Sequence, residues 1–194
     1  MNNPSNKSDA VPLLHQPTPK TPYLPNDRIN IRRLGQIDHN NITGYVFHDV
    51  IEELFFASEF RTAQITGGIL TGGFYEGPAG AYVEIRGFKD YILIEDTTEF
   101  LKYLDSNWET LIKDEGLAVA GLRPVGWYLS KPDSGAELGA FEFIIQMSYF
   151  NLPYSHFVLL DPIQKKMGMY SFNEDNLMRN VGFNLIEVTS PNTE

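Results

Sequence analysis

Apolar positions along the chain recur with two different periods, and the changes of period mark out the elements. Ile29 and Ile31 alternate with polar neighbours and predict a short first strand. Val46, Phe47, Val50, Ile51, Leu54 and Phe55 then fall at helical spacing, which predicts an amphipathic helix over 44–60. An apolar stretch over 65–75 follows, with paired glycines at Gly67, Gly68, Gly72 and Gly73. Beyond the turn signal Gly77-Pro78 the chain is apolar again over 81–88, and the two stretches predict an antiparallel strand pair. A second helix opens at Asp96, whose carboxylate caps the first turn while Glu99 answers it three residues later. Its apolar stripe is Phe100, Leu101, Leu104, Trp108, Leu111 and Ile112, and Gly116 ends it.

Residues 117–129 return to a strand, 131–135 read as a turn, and Leu138, Phe141, Ile144, Ile145 and Tyr149 trace a third helix that Asn151-Leu152-Pro153 stops. Strands at 157–160 and 167–172, joined by Asp161-Pro162, and a last strand over 181–188 complete the order. Helices inserted between largely antiparallel segments define a mixed α/β (α+β) fold class, without internal repeats. Residues 1–27 stand apart, because they hold six of the twelve prolines and no period of either kind. The expected organisation is therefore a flexible Pro-rich tail over 1–27 and a single domain over 28–190. The Pro19, Pro22 and Pro25 spacing also permits polyproline II docking.

Composition narrows the function classes. At 194 residues, 42% hydrophobic and 21% charged, the chain is long and apolar enough for one core and is neither disordered nor a coiled coil as a whole. Its net charge is −10. Residues 1–33 carry five basic and two acidic groups, a balance of +3, so the remainder carries −13 and nucleic acid or an anionic membrane is not the expected partner. The absence of cysteine excludes disulfides, thiolate nucleophiles and Cys-ligated metal centres. No apolar run reaches the length of a signal peptide core or a membrane span, and a cytoplasmic location is the expectation.

Two stretches carry a family resemblance. Ile65-Thr66-Gly67-Gly68-Ile69-Leu70-Thr71-Gly72 resembles the ETGGILLG strand after the first helix of prokaryotic JAB/MPN (JAMM) domains. Gly126-Trp127-Tyr128-Leu129-Ser130-Lys131-Pro132 stands where that family has GWYHSHP. It is followed by a helix, Asn151-Leu152-Pro153, and the apolar strand Phe157-Val158-Leu159-Leu160-Asp161-Pro162 that resembles the family's strand ending in DP. The resemblance spans roughly 29–175 and implies a JAB/MPN-like (cytidine-deaminase-like) mixed sheet flanked by helices. It also implies a zinc ion held by two His and one Asp, with a Glu as general base on the bound water. Carried over position by position, the base falls on Ile65, the two His on Leu129 and Lys131, the family's Ser on Ala140 and the Asp on Phe143. None of these residues keeps the required chemistry.

Neighbouring groups do not restore it. Glu142 lies one residue from the Asp position, and a helix turns about 100° per residue, so its carboxylate is expected to point elsewhere. Asp133 and Glu137 sit near the loop, but two carboxylates without imidazole make a poor zinc site. His15, His39, His48 and His156 have no HxH or HxxxH spacing, and Lys131 brings a cation to the place of a metal. The glycine-rich stretch lacks a phosphate-loop ending, there is no GxSxG, and Ser130 and Lys131 face opposite ways on a strand. The acidic positions Glu95, Asp96, Glu99, Asp105, Glu109, Asp114 and Glu115 read as the solvated face of the second helix, with an acidic docking face as the alternative.

The resulting expectation is a catalytically inactive, metal-free MPN-like domain without cofactor. The resemblance implies a protein-binding or scaffold role, in a dimer with another MPN-like domain or with itself. Phe141, Phe143, Tyr149, Phe150, Leu152 and Tyr154 are the interface candidates, with Phe143 alternatively filling the emptied cleft. The rival expectations are a binder of a ubiquitin-like tail or peptide in that cleft, and an enzyme of metal-free chemistry using Lys131, Ser130, Glu142 or Asp133.

Overall fold

Consecutive residues of the central strands point to opposite faces of one sheet, and both faces are covered, so those strands read as unbroken apolar runs. The computed structural model describes residues 16–26, 28–37, 41–60, 63–94, 97–173 and 175–189. Among these, the elements in chain order are β1 (Thr18–Pro19), β2 (Ile29–Leu34), β3 (Thr43–Phe47), α1 (His48–Glu59), β4 (Ile65–Gly77), β5 (Gly80–Ile94) and α2 (Thr97–Ile112). They continue with α3 (Glu115–Val119), β6 (Arg123–Ser130), α4 (Ala140–Tyr149), β7 (His156–Asp161), β8 (Lys166–Phe172), β9 (Met178–Asn180) and β10 (Phe183–Val188).

All ten strands belong to one sheet in the order β2-β10-β3-β5-β4-β6-β7-β8-β9, with β1 added to the free end of β4. Most pairings are antiparallel; β3 with β10 and β5, β6 with β7, and β1 with β4 are parallel. The β4–β5 ladder shifts register at Gly67/Gly68 and at Thr71/Gly72, which bends the long pair and lets the sheet curl. Two of the paired glycines are demanded here by close approach. A Cβ on Gly68 would lie 2.0 Å from the Lys89 carbonyl oxygen, and one on Gly72 would lie 1.7 Å from that of Glu84.

On one face Leu70, Val83, Ile85, Tyr128, Val158, Leu160 and Phe183 meet Val50 and Leu54 of α1. On the other face Ile69, Trp127, Leu129, Phe157 and Leu159 meet Phe100, Leu104 and Leu111 of α2 and Ile145 of α4. Each of these large side chains contributes roughly 1.5–3 kcal/mol by leaving water. Trp127 lies at the centre of the second cluster, stacked 4.0 Å from Phe157 and 5.6 Å from Phe100 between ring centroids. Its indole N–H donates to Gln146 Oε1 at 2.7 Å, while Gln146 Nε2 donates to the carbonyls of Phe150 at 2.8 Å and Ser155 at 3.2 Å. One buried amide thus ties β6, α4 and the turn after α4 together.

The structure corrects several expected boundaries. The segment read as a helix over 44–60 is split, with β3 lying between β10 and β5 before α1 begins at His48. A five-residue apolar run fits either period, and only pairing partners decide it. Gly116 lies inside α3 rather than ending α2, and Asp114 caps α3 by accepting from Leu117 N–H at 3.0 Å. Asp96, the expected cap of α2, lies outside the described residues. The strand expected over 117–129 is confined to β6, and β9 precedes a last strand that starts at Phe183. Finally, residues 16–26 of the expected tail run alongside the sheet. Thr18 and Pro19 pair in parallel with Tyr75 and Glu76, on the edge of β4 that β6 leaves free beyond Gly72. Residues 1–15 lie outside the described part.

Replacing Gln146 by Leu keeps the volume but orphans the Trp127 N–H and the two carbonyls. The expected loss is about 2–4 kcal/mol, measured by equilibrium urea unfolding with tryptophan fluorescence as one probe.

Candidate functional site

The site is set by the way β6 gives out onto a short loop and re-enters as α4. Ser130 pairs with Thr66 of β4 on one side and with Leu160 of β7 on the other. The Lys131 N–H extends that ladder by donating to the Leu160 carbonyl at 2.9 Å. One step further in the β4–β6 register brings Ile65 beside Lys131. The loop that follows turns sharply, with positive φ at Asp133 (56°), Gly135 (70°) and Ala136 (57°).

Asp161 holds the loop in that conformation. Its Oδ1 accepts from the N–H groups of Asp133 at 3.1 Å, Ile163 at 3.0 Å and Gln164 at 3.0 Å, and its Oδ2 accepts from Gly135 at 2.7 Å. The side chain is fully buried. Burial pushes its pKa up, but the N–H donors outweigh that push and hold the carboxyl below its usual range. The Tyr170 hydroxyl donates to the Ala136 carbonyl at 2.8 Å and fixes the loop from the other side.

Glu142, in the first turn of α4, then points back at the strand end. Its Oε2 accepts from the Gly139 N–H at 2.9 Å, which is half of a capping box, since Gly139 has no side chain to complete it. Its Oε1 accepts from Lys131 Nζ at 2.9 Å. The glutamate is 1% exposed and the lysine 26%, so the ammonium edges toward water while the carboxylate stays inside.

The resemblance therefore meets the structure unevenly. Ile65, Leu129 and Lys131 share one face of adjacent strands, and Leu129 is fully buried in the core beside α2 and α4. Ala140 is exposed, and Phe143 is 39% exposed with its ring edge-on to Phe172 at 5.9 Å. Phe143 does not fill the cleft. The carboxylate expected to point elsewhere is the one that enters, because the buried line of α4 is Glu142, Ile145 and Gln146. A Glu three residues after the helix-initiating Gly139 was the available signal, and the start of the helix decides the phase of everything on it.

One carboxylate, one ammonium and two alkyl side chains do not fit a zinc ion, which needs imidazole, thiolate or carboxylate donors. Among the described residues no three His, Cys, Asp or Glu side chains gather to hold a metal. His48 is half-buried at the start of α1 beside Glu52, and His156 is buried with Nδ1 3.0 Å from the Tyr154 carbonyl; burial pushes its pKa down to about 4. His15 and His39 lie outside the described residues. Ser130 is buried and, by strand alternation, faces away from Lys131. Asp133 is engaged by Gln164 Nε2 at 2.9 Å, and Glu137 is exposed.

The aromatic interface candidates divide in the same way. Phe150 is buried 5.1 Å from Trp108, and Tyr154 is buried in a stack with Phe74 at 4.5 Å. Phe141, Tyr149 and Leu152 are half-buried, with Tyr149 against Trp108 and bonded to Asp105. Packing of α4 against both α2 and the sheet absorbs more rings than one helix face holds. The exposed apolar row of α4 is instead Phe143, Ile144 and Met147.

Fold and site together define a layered α/β domain with a buried ion pair at the carboxyl end of a central strand. The chain matches no protein-family model and no curated protein. Among the described residues no helix is long and apolar enough to cross a membrane.

Two outcomes follow from the charges. Lys131→Met leaves Glu142 buried without its cation and is expected to cost about 3 kcal/mol, whereas Lys131→Met with Glu142→Met together recovers most of that loss; urea unfolding of the three variants checks it. Because the folded pKa of Asp161 lies below its unfolded value, its contribution is complete above that unfolded value and fades as the pH falls toward the folded one. Asp161→Asn is therefore less stable than wild type near neutrality, and its disadvantage shrinks between about pH 4 and lower pH, which unfolding curves at several pH values read directly.

Proposed function

We propose that this chain is a catalytically silent JAB/MPN-like domain that works as a protein-binding or scaffold subunit, paired with another such domain or with a second copy of itself. The observation that carries this reading is the Lys131–Glu142 pair. An ammonium sits where the resemblance places a ligand of a divalent cation, and it neutralises the one carboxylate that α4 directs into the cleft. Leu129 and Ile65 offer alkyl groups where donors and a base would be required, so the cleft has no means of activating a water. Asp161 nevertheless holds the loop beside the pair through four backbone N–H groups.

A frame kept without its chemistry is useful through its surfaces. Phe143, Ile144 and Met147 present an exposed apolar row on α4, and Phe56 of α1 and Phe60 just beyond its end present another, with ring centroids 4.7 Å apart. A partner covering either row with its surroundings buries on the order of 1,600 Å². Elemental analysis of purified protein is expected to find far less than one zinc per chain; one zinc per chain that survives dialysis overturns the reading. Sedimentation at several concentrations, together with recovery of bound proteins from a lysate, is expected to show a dimer or a defined partner that Ile144→Asp or Phe56→Asp weakens at least tenfold. A monomer at high micromolar concentration with no recovered partner sinks the scaffold role.

A further inference from the structure

Residues 18–23 meet the body through one buried cluster, at the end of β4 remote from the Lys131–Glu142 pair. Tyr75 is ten residues from Ile65 along the strand, roughly 30 Å, so this cluster is independent of the cleft. Glu84 of β5 is fully buried at its centre, and a carboxylate in that position must be matched by charge and hydrogen bonds. Lys20 Nζ donates to its two oxygens at 2.6 and 2.7 Å, and Arg86 Nε donates to Oε2 at 2.7 Å. The Lys20 ammonium also lies 4.4 Å from the centroid of the Tyr75 ring and 4.8 Å from that of Tyr23, within range of cation–π attraction.

The backbone of the leader is read as well as its lysine. The Lys20 N–H donates to the Glu76 carbonyl at 3.0 Å, and the Tyr82 hydroxyl donates to the Lys20 carbonyl at 3.2 Å. Arg86 reaches the Tyr23 hydroxyl at 2.8 Å, and the Tyr23 ring meets Phe47 edge-on at 5.7 Å. Strand addition to a free sheet edge supplies general affinity in such an arrangement, and a side-chain pocket supplies selectivity. Pro17, Pro19 and Pro22 keep the segment extended before it docks, which lowers the ordering entropy of binding. Only two strand residues pair with β4, so the selectivity rests on the lysine.

We infer that the ends of β4 and β5 form a recognition site for a lysine carried on an extended, proline-flanked segment. Residues 18–23 of the chain are its tethered resident ligand, and a segment of the same kind from another chain takes their place on exchange. The tether sets a high local concentration of the resident, so a competing segment must be abundant or presented nearby. The −13 balance of the chain beyond residue 33 favours basic competitors over acidic ones.

A labelled ten-residue peptide with the sequence of residues 16–25, and the same peptide with norleucine for lysine, test this on the full chain. Lys20→Ala empties the ammonium position. That variant is expected to bind the lysine peptide about tenfold or more tightly than the norleucine peptide, the scale of a charge-assisted hydrogen bond, and Glu84→Gln added to it is expected to abolish the preference. Equal binding of the two peptides by Lys20→Ala, or binding of neither, makes the cluster an internal clasp and overturns the proposal. In the wild-type chain, excess lysine peptide is expected to speed amide exchange at Lys20, whose N–H the Glu76 carbonyl otherwise protects. An unchanged exchange rate at saturating peptide overturns it without relying on any variant.

Discussion

Burial of β6 and β7 on both faces is the constraint on which the rest of this structure depends. The two strands are parallel neighbours, and parallel neighbours cannot be joined by a hairpin, so the chain must cross over the sheet between them. The crossover is α4, and it must cover the face that carries Trp127, Leu129, Phe157 and Leu159. The loop leaving β6 and the first turn of α4 are thereby forced together at the carboxyl end of the strand, which is the usual position of a cleft in such a unit. Lys131 and Glu142 meet because of that geometry and lie only eleven positions apart in the chain.

Three buried carboxylates show how one fold handles charge in different ways. Asp161 is matched by backbone N–H groups alone and serves as a rivet for the loop. Glu142 is matched by one N–H and one half-buried ammonium, and Glu84 is matched by a lysine and an arginine from different parts of the chain. An isolated buried charge is too costly to keep, so each carboxylate dictates the identity of its surroundings. Asp161 requires donors that any residue supplies, and its demands fall on backbone conformation. Glu142 and Glu84 require cations, and their demands fall on Lys131, Lys20 and Arg86. At the two latter sites side-chain identity, and not only backbone conformation, is fixed by the charge to be matched.

Much of the architecture was legible from periodicity. The β4–β5 pair, α4, and β7 with β8 appear where the apolar pattern places them, because an alternating or unbroken apolar run closed by Gly-Pro or Asp-Pro admits few other conformations. The chain itself also determined that the positions the resemblance aligns with a zinc site carry alkyl, aromatic and ammonium groups, since that is a matter of residue identity. Tertiary structure alone decided that Tyr45, Val46 and Phe47 form a strand, because both partners of β3 come from elsewhere in the chain. It decided that Glu142 rather than Phe143 enters the cleft, because helical phase depends on where α4 starts. It decided that Phe150 lies inside because α2 takes up one side of α4, that Tyr154 lies inside because it stacks on Phe74 of β4, and that Phe143, Ile144 and Met147 lie outside. And it decided that residues 18–23 lie against the sheet, because Lys20 is held by a carboxylate sixty-four residues away, and local composition carries no record of contacts made at that distance.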